Sequence, residues 1–388
     1  THEVGHNVGL ADLYDSGDSE MTMYGYASLG ETRKRTLEGG DETGVCTLYP
    51  IHTCALVGLL NFDDYRNRMG SVTPMEPCTT FYFPHFHQDS RWETFVAVAN
   101  PNDQEAAVTF TFYRGDGSTL DERSFNVPSD GKLGFLLSSI GVSGTGWIKV
   151  ESSLPTVGML NFDDYKNRMG SMSGVTPASA IYFPHFHQDA KWETYFALVN
   201  PSDTAANITI TYYGADGSII RAQNSTLGPR NKTGSFAVGG NGWISVESNQ
   251  SIVGMLNFDD YRNRMGTIEH ATPSSTLYFP HFHQDSKWET YYALANPSDA
   301  STSVNVTYYS GDGSVIATDT LTLDAHCKLC RFAVGGVGWI KVESTFPIVG
   351  ILNFDDYLNR MGSIVATTCR SSMIFPHFHQ DARWETYY

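Results

Sequence analysis

The chain has 388 residues, of which 41% are apolar and 13% aromatic, which is sufficient for about two to four packed domains and excludes a disordered protein. Its net charge of -17 argues against nucleic acid or anionic lipid as a partner. No run approaches the roughly 18 apolar residues of a transmembrane segment. We therefore expect a folded protein that is secreted or held at a cell surface.

The first motif, at residues 2–12, reads His-Glu-Val-Gly-His-Asn-Val-Gly-Leu-Ala-Asp. On a helix, His2 and His6 face the same way and can bind one Zn²⁺, with Glu3 beside the metal-bound water. Gly9 lets the backbone turn, so that Asp12 can return as a third ligand and leave the fourth position open. The pattern predicts a catalytic zinc site, although a helix whose two histidines face solvent or a local carboxylate would also fit the first five residues.

Two further segments extend this motif in a recognisable order. Residues 19–27 read Ser-Glu-Met-Thr-Met-Tyr-Gly-Tyr-Ala, and residues 37–49 have the pattern of a short closing helix. Together, residues 1–50 resemble the C-terminal half of the catalytic domain of matrixin-like metzincin metalloproteases, in which a methionine turn passes beneath the metal. Met23 matches that methionine better than Met21 does. Asp12 departs from the family pattern, since the commoner third ligand is histidine.

The resemblance implies metal-assisted peptide hydrolysis, with Zn²⁺ as the one catalytic cofactor and a protein or peptide as substrate. Glu3 would take a proton from the metal-bound water and later deliver it to the leaving amine. Tyr24 or Tyr26 would border the substrate pocket or assist the oxyanion, unless these rings only pack. Because the substrate-binding sheet of such enzymes precedes the active-site helix, we expect the full-length protein to be active and this chain alone to be inactive.

Internal repetition dominates the chain after residue 55. The string Asn-Phe-Asp-Asp-Tyr begins at Asn61, Asn161, Asn257 and Asn353, so its copies are spaced 100, 96 and 96 residues apart. A period of this length is that of a domain rather than of a solenoid repeat, which favours independently folded modules joined like beads on a string.

Within one period, short runs rich in β-branched and aromatic residues are separated by turn residues. Residues 208–213 alternate with period two, and Asp216-Gly217 is a hairpin signal. About seven strands per period predict a mainly β fold of tandem antiparallel, immunoglobulin-like β-sandwich modules, following the partial α+β metzincin-like fragment. The modules also resemble a bacterial class of accessory repeats without a firmly assigned chemistry, which share the Tyr-Phe-Pro-His, Trp-Glu-Thr, Asn-Pro and Gly-Trp-Ile segments.

Two module phases are open. If each module begins at the Val-Gly-x-Leu-Asn-Phe strand, the chain divides into the protease fragment 1–50, repeats at 55–153, 154–249 and 250–345, and a truncated repeat at 346–388. If each begins at Tyr-Phe-Pro-His, residues 55–80 form an orphan strand. We prefer the first phase, because a repeat strand follows Pro50 almost at once.

The segment His-Phe-His-Gln-Asp is the place in the repeats where chemistry is possible. In an extended segment the two histidines and the aspartate share one side and could bind a second metal, with Asp163 or Asp164 completing the shell. The simpler alternative, which we prefer, is a hydrogen-bonded connection in which the Asp-Asp pair binds Arg168 or backbone amides. The candidate ligands are His85, His87, Asp89, His185, His187, Asp189, His281, His283 and Asp285.

Tryptophans and cysteines allow further alternatives. Trp192 and Trp243 are expected in the core, but exposed tryptophans could instead stack on a sugar. Cys46 and Cys54 flank the fragment boundary and are the best disulfide candidates. Cys327 and Cys330 form a CxxC motif that could be redox-active or bind zinc. Alternatively, either cysteine could form a disulfide with Cys78 or Cys369.

Two classes of function follow. The first is a secreted zinc-dependent endopeptidase whose modules hold it on a surface, a matrix or a polysaccharide. The second is a structural or adhesive β-sandwich array at the cell surface, in which the protease segment is vestigial.

Overall fold

The computed structural model describes residues 56–64, 66–260 and 262–388, and the fold there is mainly β, as predicted. The described residues form strands and one 3₁₀ turn, Leu137–Ile140, without an α-helix. The chain separates into two compact units at residues 55 and 56, and the predicted α+β fragment lies outside the described residues. Within those residues, no helix has the length and apolar character to span a membrane.

The first two strands, β1 (Leu60–Asp63) and β2 (Met69–Val72), form an antiparallel pair. The following seven strands form the first complete module, module A. They are β3 (Cys78–Gln88), β4 (Glu93–Ala99), β5 (Ala106–Tyr113), β6 (Thr119–Val127), β7 (Lys132–Leu136), β8 (Gly144–Asp163) and β9 (Met169–Ser173).

The 20-residue strand β8 joins the two sheets of module A. In the first sheet, the first half of β8 pairs with β3 and β5, and β5 also pairs with β6. In the second sheet, the second half of β8 pairs with β4 and β9, and β4 also pairs with β7. Ladder pairing to β3 skips from Glu151 to Thr156, and Pro155, which has no amide hydrogen, lies in this gap. The strand therefore changes sheets where its backbone leaves the first ladder.

Modules B and C repeat this topology. Module B comprises β10 (Ala178–Gln188), β11 (Glu193–Val199), β12 (Ala206–Gly214), β13 (Ile219–Leu227), β14 (Lys232–Phe236), β15 (Gly240–Asp259) and β16 (Met265–Glu269). Module C comprises β17 (Ser274–Gln284), β18 (Glu289–Ala295), β19 (Thr302–Tyr309), β20 (Val315–Leu323), β21 (Lys328–Phe332), β22 (Gly336–Asp355) and β23 (Met361–Val365). The count of seven strands and the predicted hairpin at Asp216-Gly217, between β12 and β13, are confirmed.

The predicted boundaries after residues 153, 249 and 345 fall inside β8, β15 and β22. Each of these strands is continuous and pairs with the same module on both sides of the boundary. Hydrogen bonding therefore groups residues 78–173, 178–269 and 274–365, in the phase that begins at the Tyr-Phe-Pro-His strand.

A fourth, partial module, module D, is assembled from distant parts of the chain. The last strand, β24 (Glu385–Tyr387), pairs with β1, as β4 pairs with the second half of β8. A bridge between Leu56 and Arg370 adds a second connection. The segment predicted as a truncated fourth repeat is thus joined by residues 56–72.

The modules close into a ring rather than forming separate beads. The short strands β2, β9, β16 and β23 contact one another in sequence, and β23 also contacts β2. Gly70, Gly170, Gly266 and Gly362 permit this approach, because an added Cβ at each would collide with the side chain of Ser171, Thr267, Ser363 or Ser71, respectively. The core lies between the two sheets of each module and includes the buried Phe110, Ile210 and Val306.

Candidate functional site

Four arginines connect the modules around the ring. The Nη1 atoms of Arg68, Arg168 and Arg264 lie 3.1, 3.0 and 3.2 Å from the carboxylates of Asp163, Asp259 and Asp355. Arg360 lies 2.6 Å from Asp63 and closes the cycle. Each arginine therefore joins the end of one module to the next, where its aspartate ends the long strand in modules A, B and C and the short strand β1 in module D.

A tight loop holds each arginine in place. In module A, Asp164 Oδ1 accepts the backbone N–H groups of Lys166, Asn167 and Arg168 at 3.0 Å each, and Asp164 Oδ2 accepts from Arg168 Nε at 2.9 Å. Burial would raise the pKa of Asp164, but these hydrogen bonds outweigh it and the pKa is lowered. The predicted binding of the Asp-Asp segment to Arg168 and to backbone amides is confirmed.

Asparagines of the same loops meet beside the arginines. Asn263 Nδ2 donates to Asn359 Oδ1 at 2.8 Å, and Asn359 Nδ2 donates to Asn67 Oδ1 at 3.2 Å. Asn167 Nδ2 donates to Asn263 Oδ1, and Asn67 Nδ2 donates to Lys166 O at 3.5 Å. An asparagine side chain therefore donates a hydrogen bond across each of the four module boundaries.

The inner histidines of three of the four His-Phe-His segments, His85, His185 and His377, contact a lysine of another module. Lys328 Nζ lies 2.7 Å from His185 Nδ1, and Lys232 Nζ lies 2.5 Å from His85 Nδ1. Burial holds the pKa of His185 well below its ordinary value, and it lowers the pKa of Lys328 to about 8. Because Nδ1 of each imidazole faces an ammonium group, it is occupied by a hydrogen bond.

The outer histidines bind the aspartates of the same segment. His87, His187 and His283 Nε2 lie 3.1, 3.1 and 3.0 Å from Asp89, Asp189 and Asp285. His185 and His187 lie on one side of β10, as predicted, with ring centroids 6.4 Å apart. In the described part of the chain, no group of three or more His, Cys, Asp or Glu side chains is placed to hold a metal ion. His281 is half-buried and packs edge-on against Phe354, with ring centroids 5.9 Å apart.

The modules enclose clefts at their boundaries. Between modules B and C, a cavity of about 370 Å³ is lined by Trp192, Arg264, Glu289, Tyr291 and Phe332, among others. Between modules D and A, a cavity of about 480 Å³ is lined by the equivalent Trp384, Arg68, Glu93, Phe95 and Leu136. The clefts therefore combine aromatic walls with both signs of charge.

Two carboxylates lie directly opposite each other in each of these clefts. Glu289 pairs with Asp355 across β18 and β22, as Glu93 pairs with Asp163 across β4 and β8. Like charges in this position repel, and Arg264 offsets the charge of Asp355. Burial raises the pKa of Asp355, and burial and the charge of Asp355 raise the pKa of Glu289.

The two tryptophans of module B differ in position. Trp243 is buried, with 1% of its surface exposed, and stacks on Tyr213 with ring centroids 4.5 Å apart. Trp192 is half-buried, and the guanidinium carbon of Arg264 lies 5.0 Å from its ring centroid. The core prediction is confirmed for Trp243, whereas Trp192 is a cleft residue.

The remaining sequence candidates divide between described and undescribed residues. Cys78, Cys327, Cys330 and Cys369 are free thiols, so none of the bridges considered for them forms among the described residues. The candidate zinc ligands, base, methionine turn, pocket tyrosines and disulfide lie outside the described residues; they are His2, Glu3, His6, Asp12, Met23, Tyr24, Tyr26, Cys46 and Cys54.

Apart from Arg168, which the sequence placed beside the Asp-Asp pair, the arginines, asparagines and glutamates at the module boundaries were not among the sequence candidates. A signal for the arginines was present, because Asn-Arg-Met-Gly follows each copy of Asn-Phe-Asp-Asp-Tyr after one residue. The partners could not be assigned, since Arg168 and Asp259 belong to different modules and only the closed ring brings them together.

No protein-family model and no curated protein matches the chain. Among solved structures, Thermotoga maritima 1070 is 20% identical with a TM-score of 0.24, over 26% of this chain and 96% of its own. A β-glucuronidase from Bacteroides uniformis is 8% identical with a TM-score of 0.14, over 55% of this chain and 26% of its own. A β-galacturonidase from Eisenbergiella tayi is 10% identical with a TM-score of 0.16, and the match covers 73% of this chain and 44% of that enzyme's chain. At these scores the matches assign neither a family nor a function.

Proposed function

We propose that the chain belongs to a secreted zinc-dependent endopeptidase whose β-sandwich repeats, immunoglobulin-like in general form, serve as an accessory binding body. The observation that carries the proposal is the ordered set His2, Glu3, His6, Asp12 and Met23. These residues supply two nitrogen ligands, one oxygen ligand, a general base and a methionine turn at the spacing of a metzincin site. Zn²⁺ held there would polarise the scissile carbonyl, and Glu3 would move the proton.

Zinc content is the direct test. The purified chain is expected to hold one Zn²⁺, measured by atomic absorption after dialysis, and His6→Ala is expected to lose it. Glu3→Gln is the matched control, because it leaves the ligands in place. In a polypeptide extended by its natural upstream sequence, Glu3→Gln should retain zinc and lose peptidase activity by about 100-fold or more. Zinc binding that is equal in wild type and His6→Ala would contradict the proposal.

The second candidate is a structural or adhesive array at the cell surface with a vestigial protease segment. The closed ring favours it, because the four linked modules present their clefts from one compact unit. If the extended polypeptide binds no zinc while the repeats still bind a surface or a polymer, only this second candidate remains.

A further inference from the structure

The cleft between modules B and C presents aromatic rings to solvent at its mouth. Phe332 is 57% exposed and packs edge-on against Tyr291, with ring centroids 5.6 Å apart. Tyr357, which contacts the cleft residue Glu289, is 44% exposed. At the cleft between modules D and A, Leu136 and Tyr165 take these positions and are 37% and 51% exposed. Apolar side chains at equivalent positions therefore remain available to a ligand.

The exposed tyrosines are held in a strained backbone conformation. Tyr165 and Tyr357 have φ values of 60° and 62°, which a bulky residue rarely adopts. Their N–H groups donate to Asp163 Oδ1 and Asp355 Oδ1, each at 2.8 Å. Such strain costs about 1–3 kcal/mol and persists where the surroundings impose it, often at a ligand site. The aspartates that impose it are the same ones that receive the arginines of the neighbouring module.

Each of these two clefts also contains an unsatisfied hydrogen-bond acceptor. The Oδ1 atoms of Asn161 and Asn353 are buried without a hydrogen-bond partner, and both residues line their clefts. Leaving a buried acceptor unpaired costs about 1–3 kcal/mol. Glu93 and Glu289 add carboxylate acceptors to the same clefts, so a ligand that carries hydrogen-bond donors matches them.

We propose that the clefts between consecutive modules bind the sugar units of a neutral polysaccharide. Hydroxyl groups can donate to the amide and carboxylate oxygens and accept from the arginine, while the C–H face of a sugar ring packs against the exposed aromatic rings. The chain's net charge of -17 disfavours an anionic polymer. This assignment deepens the accessory role proposed above and does not depend on the zinc motif.

Clefts that repeat around a ring make binding multivalent. The boundary between modules A and B carries the equivalent Trp92, Arg168, Tyr195 and Phe236, and Phe236 is 55% exposed. A polymer that engages two or three clefts gains affinity through the second and third contacts without any new type of interaction. Loss of one cleft should therefore weaken retention modestly, and loss of all three should remove most of it.

The test is depletion of the purified chain from solution by insoluble cellulose, chitin and starch. Wild type is expected to bind at least one of them. Phe332→Ala should weaken that binding about threefold, and the triple variant Leu136→Ala, Phe236→Ala, Phe332→Ala about tenfold or more. Asn353→Leu removes the unpaired acceptor and should also weaken binding. Phe346→Ala, at a site 46% exposed on β22, is the matched control and should bind as wild type does.

Circular dichroism and thermal midpoints verify that each variant is folded before binding is measured. The proposal fails if no neutral polysaccharide depletes the wild-type chain, or if the folded triple variant binds as well as wild type does. Retention only on heparin or only on polylysine beads would also overturn it, in favour of an anionic or a cationic ligand. None of these outcomes alters the zinc measurement, so the two proposals can fail separately.

Discussion

At the scale of single residues, indole N–H groups connect successive modules. Trp147 Nε1 donates to Arg230 O at 3.0 Å, and Trp243 Nε1 donates to His326 O at 2.7 Å. Both acceptors lie in the turn before the fifth strand of the next module, and both have positive φ, 58° for Arg230 and 55° for His326. A core side chain of one module thus stabilises a strained turn of the next.

Burial of neutral histidine makes stability depend on pH. Burial lowers the pKa of His270 to about 4, and it lowers the pKa of His281 and His377 to about 4 as well. Below pH 6.5 the unfolded chain takes up protons that the folded chain excludes, so stability falls as pH falls from about 6.5 to about 4.

We expect His270 alone to contribute about 2 kcal/mol to the loss of stability between pH 7 and pH 5. Urea unfolding of wild type and of His270→Asn at both pH values measures this, and the variant should show the smaller decrease. Arg221→Gln on the exposed β13 serves as a control that keeps the wild-type decrease. An equal decrease in His270→Asn and wild type would contradict the assigned pKa.

At the scale of strands, close approach of neighbouring backbones decides where side chains are tolerated. Gly146, Gly242 and Gly338 lie at the start of the long strands, where an added Cβ would collide with the carbonyl oxygen of Tyr113, Tyr213 or Tyr309. The partner is backbone in each module, so a side chain at these positions must displace a strand.

Gly242→Ala is therefore expected to destabilise module B by about 1–3 kcal/mol, by moving β12 away from β15. Gly239→Ala is the matched control three residues earlier, since an added Cβ there meets no atom within 4 Å. Thermal unfolding should show a lowered midpoint for Gly242→Ala and a midpoint close to wild type for Gly239→Ala. Equal midpoints would show that the sheet absorbs the extra methyl group.

The sequence predicted which residues form strands, but it did not predict to which sheet each strand belongs. The alternation at 208–213 and the Asp216-Gly217 turn predicted β12 and its hairpin, because local side-chain spacing encodes both. In the sequence, the two halves of β8 have the pattern of two separate strands, because Ser152-Ser153-Leu154-Pro155 interrupts the run of apolar residues. A single strand that bends from one sheet into another leaves the same pattern, and only the hydrogen-bonded partners distinguish the two. This is why the preferred module phase disagreed with the strand pairing.

At the scale of the whole unit, the clefts depend on ring closure, which local sequence does not encode. Period and copy number predicted repeated modules, and the Asp164–Arg168 contact was predicted because the two residues are near each other in the sequence. The contact between Arg360 and Asp63 joins residues 297 positions apart, and the pairing of β1 with β24 joins residues 322 to 326 positions apart. Such contacts depend on the angle between successive modules, which is set by packing along the whole cycle.

Arg360→Gln is expected to open the ring at module D, because it removes the guanidinium that lies against both Asp63 and Asp356. Breaking a buried ion pair costs about 3–5 kcal/mol, and the partly exposed Arg360 should cost somewhat less. Hydrogen exchange measured by mass spectrometry should become faster in β1, β2 and β24 and stay unchanged in β12 and β13.

Arg168→Gln is the matched comparison, because it removes the equivalent link between modules A and B. Modules A and B remain connected by the chain itself, so faster exchange should stay confined to their shared boundary. If Arg360→Gln leaves exchange in β1 and β24 unchanged, the arginine does not contribute to closure.

The closing link between Arg360 and Asp63 has a consequence for how the gene can change length. Near-identical repeats invite recombination that deletes or inserts one period of 96 residues. A shortened product would still contain well-formed sandwiches, yet its last arginine and first aspartate would no longer meet, since the cycle of four contacts closes through four modules. The cycle of contacts therefore ties ring closure to the number of modules. A chain with a different number would separate one arginine of the cycle from its aspartate.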